Sequence, residues 1–409
     1  MTRIFALLFL PFLFIPVSNP VTEPSANNWL DLSAVDTVRV SLFGREKPDQ
    51  FHISAYGAEI RIESGSLKIT LTEADTPLTI RRNGRLVELI TPQRTYESTE
   101  WTILTTQPGS VRIRSQATGT RNYKGSLVVS ANSASHLRVI NKIDLETYVA
   151  SVIGSEMNFT EMEALKAQAV VSRTYALLNL QRNTARDYDM TDYESSQMYL
   201  GEFVDRPWFL NAAMATHGEI LTWSDMLILA AYSSTCGGVT SDNENVWSGR
   251  GLPFLRSVSD HDMCSISPHF EWEFSIEKGS LLVVFNNEHR IIPRNFELKT
   301  DKNGRVISVH MPNATGIPLE MTGNQFRLML NRHFGPLSLK STRFTLTDEN
   351  GRFTFKGRGL GHGVGMCQWG ARGFAQSGWN YSDILAFYFS GVKIVDYHTI
   401  ESQKIAVAQ

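Results

Sequence analysis

The chain of 409 residues carries 39 basic and 41 acidic side chains, 42% hydrophobic residues and only three cysteines. A formal net charge of -2 excludes the Lys/Arg excess by which a nucleic-acid or anionic-membrane binder is read, and three cysteines are too few for a disulfide scaffold. The length allows about two to three domains, each able to bury its own core.

The N-terminus reads Met-Thr-Arg and then runs apolar from Ile4 to Val17. One positive charge ahead of such a stretch is the form of a signal peptide, expected over residues 1–25. The run is short for a membrane span and is interrupted by Pro11 and Pro16. An uncleaved anchor is the alternative, since no clean Ala-x-Ala site follows, and membrane contact is then expected through this segment alone. No Cys follows the run to carry a lipid. The mature protein is therefore expected in the periplasm or cell envelope. The other apolar stretch, Met226 to Tyr232, suits a buried strand.

Residues 30–137 predict strand after strand. Val38–Phe43, Ile60–Ile62, Leu67–Leu71, Leu78–Arg82, Leu86–Thr91, Trp101–Thr105, Val111–Arg114 and Ser126–Ser130 are separated by turn signals such as Arg82-Asn83-Gly84-Arg85. No chemistry is locatable in this region.

At Asp144 the pattern turns helical. Asp144 is placed to cap a helix through Leu145, Tyr148, Val149 and Val152, with Gly154 as its left-handed terminus. Thr160-Glu161-Met162-Glu163 predicts a capping box for a second helix, Glu161 to about Leu180. Strands return around Ile220–Thr222 and Leu227–Tyr232, with several more between Trp272 and Phe355. Two short helices close the chain, the second capped by Ser382 and stopped at Gly391. The fold class that follows is α+β: an N-terminal all-β region, then a mixed helix/strand domain over residues 138–396, with 397–409 as a tail.

Glu156 stands out as a carboxylate at the junction between the two helices. The N-terminus of the second helix favours its charge, whereas burial among Met157 and Phe159 would favour the protonated form that a general acid needs. Helix capping is the plainer reading of the same residue. A second constellation places glycine at every other position from Gly357 to Gly365, followed by Met366-Cys367-Gln368-Trp369-Gly370. Such a run lets backbone approach a ligand closely, but it lacks the spacing and the Gly-Lys-Ser/Thr of a phosphate loop. His362 and Gln368 then read either as polar groups aimed into a cleft or as packed side chains beneath a glycine-rich turn.

The string Ile153-Gly154-Ser155-Glu156-Met157, followed by Glu163-Ala164-Leu165-Lys166-Ala167-Gln168-Ala169-Val170 and Ser172-Arg173-Thr174-Tyr175-Ala176, resembles the core signature of the SpoIID/LytB family. Ser196-Gln197-Met198-Tyr199-Leu200-Gly201, Ser234-Thr235-Cys236-Gly237-Gly238 with Trp247, Pro253–Val258 and Gly361–Ala371 extend the resemblance in the family's order. That family contains lytic transglycosylases and amidase enhancers. The resemblance implies cleavage of the β-1,4 bond between N-acetylmuramic acid and N-acetylglucosamine in peptidoglycan, with Glu156 as the single catalytic carboxylate and a 1,6-anhydromuramoyl product. It also implies a glycan cleft lined by Arg173, Tyr175, Gln197, His362 and Gln368, with Trp369 stacking on sugar rings. No cofactor is expected. The partners implied are glycan strands and an N-acetylmuramoyl-L-alanine amidase, in division, sporulation or turnover. A non-catalytic amidase enhancer is the main rival reading, and a structural envelope protein the second.

In an oxidising compartment Cys236 and Cys264 are expected to pair as a disulfide, leaving Cys367 solitary. The alternative is zinc held by Cys236, His261, Cys264 and His269. The zinc ligands of some family members precede the Ser-Gln-x-Tyr motif, and residues 184–193 contain no Cys or His. Two further departures are Ser233, where the family often has His, and Cys367, where it often has Ser.

Overall fold

The β-rich region alternates buried and exposed side chains with period two because each strand has one face on a core and one on water. The computed structural model describes residues 35–399 except 133–134, 248 and 314–315. The expected signal peptide lies outside the described residues. Twelve strands precede the first helix: β1 (Thr37–Leu42), β2 (Gln50–Tyr56), β3 (Ile60–Ser64), β4 (Leu67–Leu71), β5 (Leu78–Asn83), β6 (Leu86–Ile90), β7 (Thr95–Ser98), β8 (Glu100–Thr105), β9 (Ser110–Ser115), β10 (Gly119–Tyr123), β11 (Ser126–Ala131) and β12 (Leu137–Asp144). They build two sheets, β1-β12-β11-β8-β3-β4 and β10-β9-β2-β5-β6-β7. Val38, Val40, Ile53, Ile103, Ile113 and Val129 are fully buried between them. The indole of Trp101 on β8 donates to the Val87 carbonyl of β6 at 2.9 Å, which ties one sheet to the other.

Asp144 ends β12 and caps α1 (Leu145–Glu156), its carboxylate accepting the Thr147 amide at 2.9 Å. The remaining elements of this unit are α2 (Met162–Arg182), β13 (Met190–Thr191), α3 (Trp208–Ala215), β14 (Glu219–Trp223) and β15 (Met226–Leu227). β13 extends the first sheet in parallel with β1. The late strand Lys393–Asp396 pairs with β14. Compact unit boundaries fall at 229/230, with the described residues 394–399 returning to this first unit. The boundary expected at 137/138 lies inside it, at the start of β12, because β12 is both a sheet member and the lead into α1.

Several local expectations need correction. Gly154 does not end α1 but lies within it, where an added Cβ would come within 2.5 Å of Phe203 and 2.8 Å of Phe209. Ser155 and Glu156 belong to the last turn of α1, not to a junction. The Thr160 capping box does not form: Glu161 occupies the N-cap without a side-chain cap bond. The stretch Met226–Tyr232 is not one strand, since pairing is confined to Met226–Leu227 and Tyr232–Ser233.

The second unit, residues 230–393, contains β16 (Tyr232–Ser233), β17 (Glu271–Glu277), α4 (Lys278–His289), β18 (Glu297–Thr300), β19 (Val306–Met311), β20 (Leu319–Thr322), α5 (Gly323–Phe334), β21 (Phe344–Glu349), β22 (Arg352–Arg358), β23 (Met366–Cys367), α6 (Gln368–Gln376) and α7 (Tyr381–Tyr388). A phenylalanine-rich core fills the space between β17, β19, β21, β22, α4 and α5, with Phe285, Phe326, Phe344, Phe353 and Phe355 buried. Thr322 and Gln325 form the capping box of α5. Asn380, not Ser382, caps α7, accepting the Asp383 amide at 2.9 Å. Both units combine sheets and helices, and the class is α+β.

Because a Cβ on Gly154 would overlap the rings of Phe203 and the buried Phe209, Gly154→Ala is expected to cost about 1–3 kcal/mol, measurable as a lowered urea midpoint. An unchanged midpoint would show that α1 is free to shift away from Phe203 and Phe209.

Candidate functional site

One face of α1 carries Tyr148, Ser151 and Ser155 at spacings of three and four, so they lie above one another. This face receives the Ser196–Gly201 segment. The Tyr148 hydroxyl donates to Gln197 Oε1 at 3.1 Å, Ser151 Oγ donates to the Gly201 carbonyl at 2.5 Å, and the Leu200 amide donates to Ser155 Oγ at 3.0 Å. Tyr199 stacks on Tyr148 with centroids 5.3 Å apart and donates from its hydroxyl to Asn141 Oδ1 at 2.6 Å. Gly201 turns the chain at φ +86°, where a Cβ would meet the Asn122 carbonyl at 2.3 Å, so only glycine suits that position.

This docking places the Met198 amide 3.0 Å from Glu156 Oε1, to which it donates. Glu156 is 6% exposed and closes α1. The helix end of its own element is therefore the negative one, the opposite of the N-terminal influence expected from sequence. The hydroxyls of Tyr148 and Tyr175 lie within the electrostatic reach of Glu156, and burial holds both above the ordinary tyrosine range. Glu156, Tyr175 and Gln197 are thus in one unit. Tyr148 and the Met198 amide join them. Tyr148 was missed by sequence reading, although its position eight residues before Glu156, two helical turns away on one face, was a usable signal.

Other carboxylates on the segment beyond α2 are occupied. Asp189 pairs with Arg39 at 2.6 Å, Asp192 accepts the Phe43 and Gly44 amides at 2.6 and 3.3 Å, and Glu194 pairs with Arg45. Burial pushes Asp192 up to about 6, against the pull of those two amides.

Arg173 does not line a cleft. Its side chain is fully buried, with Nε and Nη2 donating to Glu146 at 2.7 and 2.5 Å, Nη2 also to the Ala213 carbonyl at 3.0 Å, and Nη1 to the Glu219 carbonyl at 2.9 Å. The guanidinium is consumed in joining α1, α2, α3 and β14. Lys166, two turns earlier on α2, pairs with Glu163 at 2.7 Å.

His362, Gln368 and Trp369 belong to the second unit. His362 is 3% exposed, lies with its ring centroid 5.0 Å from that of Trp247 at a tilt of 52°, accepts the Val364 amide on Nδ1 at 3.0 Å and bonds the Tyr232 backbone. These two bonds are to backbone and tie the glycine-rich turn to β16. Burial, aided by the charge of Arg327, pushes its pKa down to about 3. Gln368 is buried at the start of α6. Trp369 is half-buried, and the Arg372 guanidinium lies 5.1 Å from its ring centroid. The glycine ladder does bring backbone close, but to its own chain. A Cβ on Gly359 would meet the Thr235 carbonyl at 2.5 Å, and one on Gly365 the Ala231 carbonyl at 2.1 Å.

A sequence profile of the stage II sporulation protein family matches residues 133–223, the segment that contains Glu156 and its docking loop. An uncharacterised protein of Brachyspira hyodysenteriae is 32% identical over 292 residues, covering 69% of this chain and 74% of that protein. The chain belongs to the SpoIID family. The stage II sporulation protein D of Bacillus subtilis is 29% identical over 273 residues, covering 62% and 75% of the two chains. The amidase enhancer of the same organism is 27% identical over 300 residues, of which this chain spans 40% of the relative's length.

In this SpoIID-family chain the cysteines depart from expectation. All three are buried free thiols. The Sγ atoms of Cys236 and Cys264 are 3.6 Å apart, far beyond a disulfide bond of about 2.05 Å. Cys367 is not solitary: with Asp260 it completes a group of four whose ligand atoms lie within 4.8 Å of one another. The histidines suggested as metal partners are elsewhere engaged or exposed, His269 Nδ1 meeting Lys340 Nζ at 3.3 Å and His261 lying at the surface. Asp260 was missed, although its place four residues before Cys264 was visible in sequence.

Arg173→Leu strands Glu146 in the interior, and the loss expected for a broken buried pair is about 3–5 kcal/mol, read by chemical denaturation. A near-neutral result would overturn the joining role. For His362 the folded pKa lies below the unfolded value of about 6.5, so the unfolded chain binds the extra proton between about 6.5 and 3. The stability it contributes is complete above that window and is lost as pH falls through it. The melting temperature should therefore decline less steeply from pH 6.5 to 4 in His362→Gln than in the wild type, and equal slopes would refute this.

Proposed function

We propose that this protein is a peptidoglycan lytic transglycosylase, cleaving the MurNAc-GlcNAc β-1,4 bond through Glu156 and acting in the cell envelope. Membership of the SpoIID family supports a cell-wall-related role. The observation that carries the finer reading is one nearly buried carboxyl, oriented by the Met198 amide and set beside Tyr148 and Tyr175. The neighbouring acids Asp189, Asp192 and Glu194 are committed to structural partners.

A hydrolytic glycosidase pairs its acid with a second carboxylate that activates water or attacks the sugar. A single carboxyl suffices when the nucleophile is already part of the substrate. Glu156 in its acid form protonates the leaving glycosidic oxygen as the C1–O bond breaks. The C6 hydroxyl of the muramoyl residue then bonds to C1, and its proton passes to the Glu156 carboxylate, which regenerates the acid. The product is a 1,6-anhydromuramoyl end. The amide on Oε1 fixes the rotation of the carboxyl, and Gln197, held by Tyr148, supports the loop that supplies that amide.

The likeness to a protein named amidase enhancer favours a second reading, in which the chain binds glycan and stimulates an N-acetylmuramoyl-L-alanine amidase. No helix among the described residues is long and apolar enough to cross a membrane.

The purified protein, incubated with peptide-stripped glycan strands and with intact sacculi, is expected to yield anhydromuramoyl ends by mass spectrometry. Glu156→Gln should lower that yield about 10²–10⁴-fold with an unchanged melting temperature. Release of stem peptides that requires an added amidase, without anhydro ends and undiminished in Glu156→Gln, would replace catalysis by the enhancer reading.

A further inference from the structure

The second unit carries a buried constellation that the glycan reading does not use. Cys236 follows β16, Asp260 leads into the 3₁₀ turn Met263–Ile266 that contains Cys264, and Cys367 is the N-cap of α6. All four side chains are fully buried. The Cys236 and Cys264 sulfurs are 3.6 Å apart, and Asp260 Oδ2 is 3.1 Å from Cys236 Sγ. A tetrahedral zinc with Zn–S bonds of about 2.3 Å has S···S edges of about 3.8 Å, which these separations approach and a disulfide does not.

Backbone amides are aimed at two of the sulfurs. Cys367 Sγ accepts the Cys236 amide at 3.1 Å and the Gly370 amide at 3.3 Å, the latter at a helix N-terminus. The Gly238 backbone donates to Cys264. Asp260 Oδ1 is buried and has no hydrogen-bond partner, and neither has the Tyr388 hydroxyl. That hydroxyl reaches the same small space: a Cβ on Gly370 would lie 2.0 Å from it and 2.8 Å from Asp260 Oδ2. Arg305 is also buried. Its Nη2 donates to the Cys236 carbonyl at 2.7 Å, whereas Nε and Nη1 have no hydrogen-bond partner. A buried cation calls for a buried anion, and a metal bound by three thiolates and a carboxylate is one.

We propose that Cys236, Asp260, Cys264 and Cys367 bind one divalent transition-metal ion, zinc first among them, as a closed four-ligand structural site. Three thiolates select a soft or borderline ion over magnesium or calcium. Loading releases three thiol protons and transfers no electrons. The ion joins the loop after β16, the Asp260–Ile266 segment and the start of α6, three stretches that lack a shared sheet long enough to hold them. This site is independent of catalysis at Glu156, which belongs to the first unit.

The full chain, purified without chelator, is expected to contain about one zinc by elemental analysis and to show three thiols after denaturation with chelator. Cobalt-loaded protein should show thiolate-to-cobalt absorption. Cys264→Ser and Asp260→Asn should lower zinc content and the melting temperature, whereas His261→Gln and His269→Gln should retain the metal. A Cys236–Cys264 cross-linked peptide with one free thiol and no metal would overturn the proposal. So would three thiols that bind neither zinc nor cobalt in the wild type, a result that does not depend on how any variant folds.

Discussion

The buried guanidinium of Arg173 is the tie on which the first unit depends. It projects from α2 and meets the Glu146 carboxylate of α1, a carbonyl at the end of α3 and a carbonyl of β14. A charge taken out of water must be matched by groups in place before it is buried, or the penalty is several kcal/mol. Four elements are therefore held in one arrangement. Most of α2 from Ala164 to Leu178 is buried, and the small side chains of Ala164, Ala167, Ala169 and Ala176 let neighbours approach it closely. The ion pair adds direction to packing that is otherwise nonspecific.

With α1 so placed, its Tyr148-Ser151-Ser155 face becomes a dock for the Ser196–Gly201 segment. Each contact there is a hydrogen bond between a side chain and a loop group, or a stacked ring. The same contacts bring the Met198 amide to Glu156. The candidate acid is thus oriented by main chain rather than by a second carboxylate.

The second unit solves a different problem. Its phenylalanine core lies among β17–β22, α4 and α5, while the segments around β16, Cys264 and α6 have little regular pairing: β16 and β23 are two residues each. Glycines at positive φ let these strands of irregular chain touch. His362 bonds the backbone of its own turn at Val364 and that of β16 at Tyr232, and the Cys/Asp group occupies the point where the three stretches converge.

Sequence alone determined most strands of the N-terminal region, the first two helices, the cap at Asp144, and the order of motifs that marks the family, because these are local properties: period-two alternation, capping chemistry and a recognisable string around Glu156. It could not determine the fates of polar residues whose partners are distant in the chain. Arg173 is read as a ligand group until Glu146, Ala213 and Glu219 are seen around it, and the burial of His362 shows only in the folded chain. Gly154 has the look of a helix end, but the reason for glycine there is Phe203 and Phe209, fifty residues on. Asp260 gains meaning only beside three cysteines, one of them more than a hundred residues away. Burial and partner choice are long-range quantities, set when the chain closes on itself, and for these residues the tertiary structure decided what the local pattern left open.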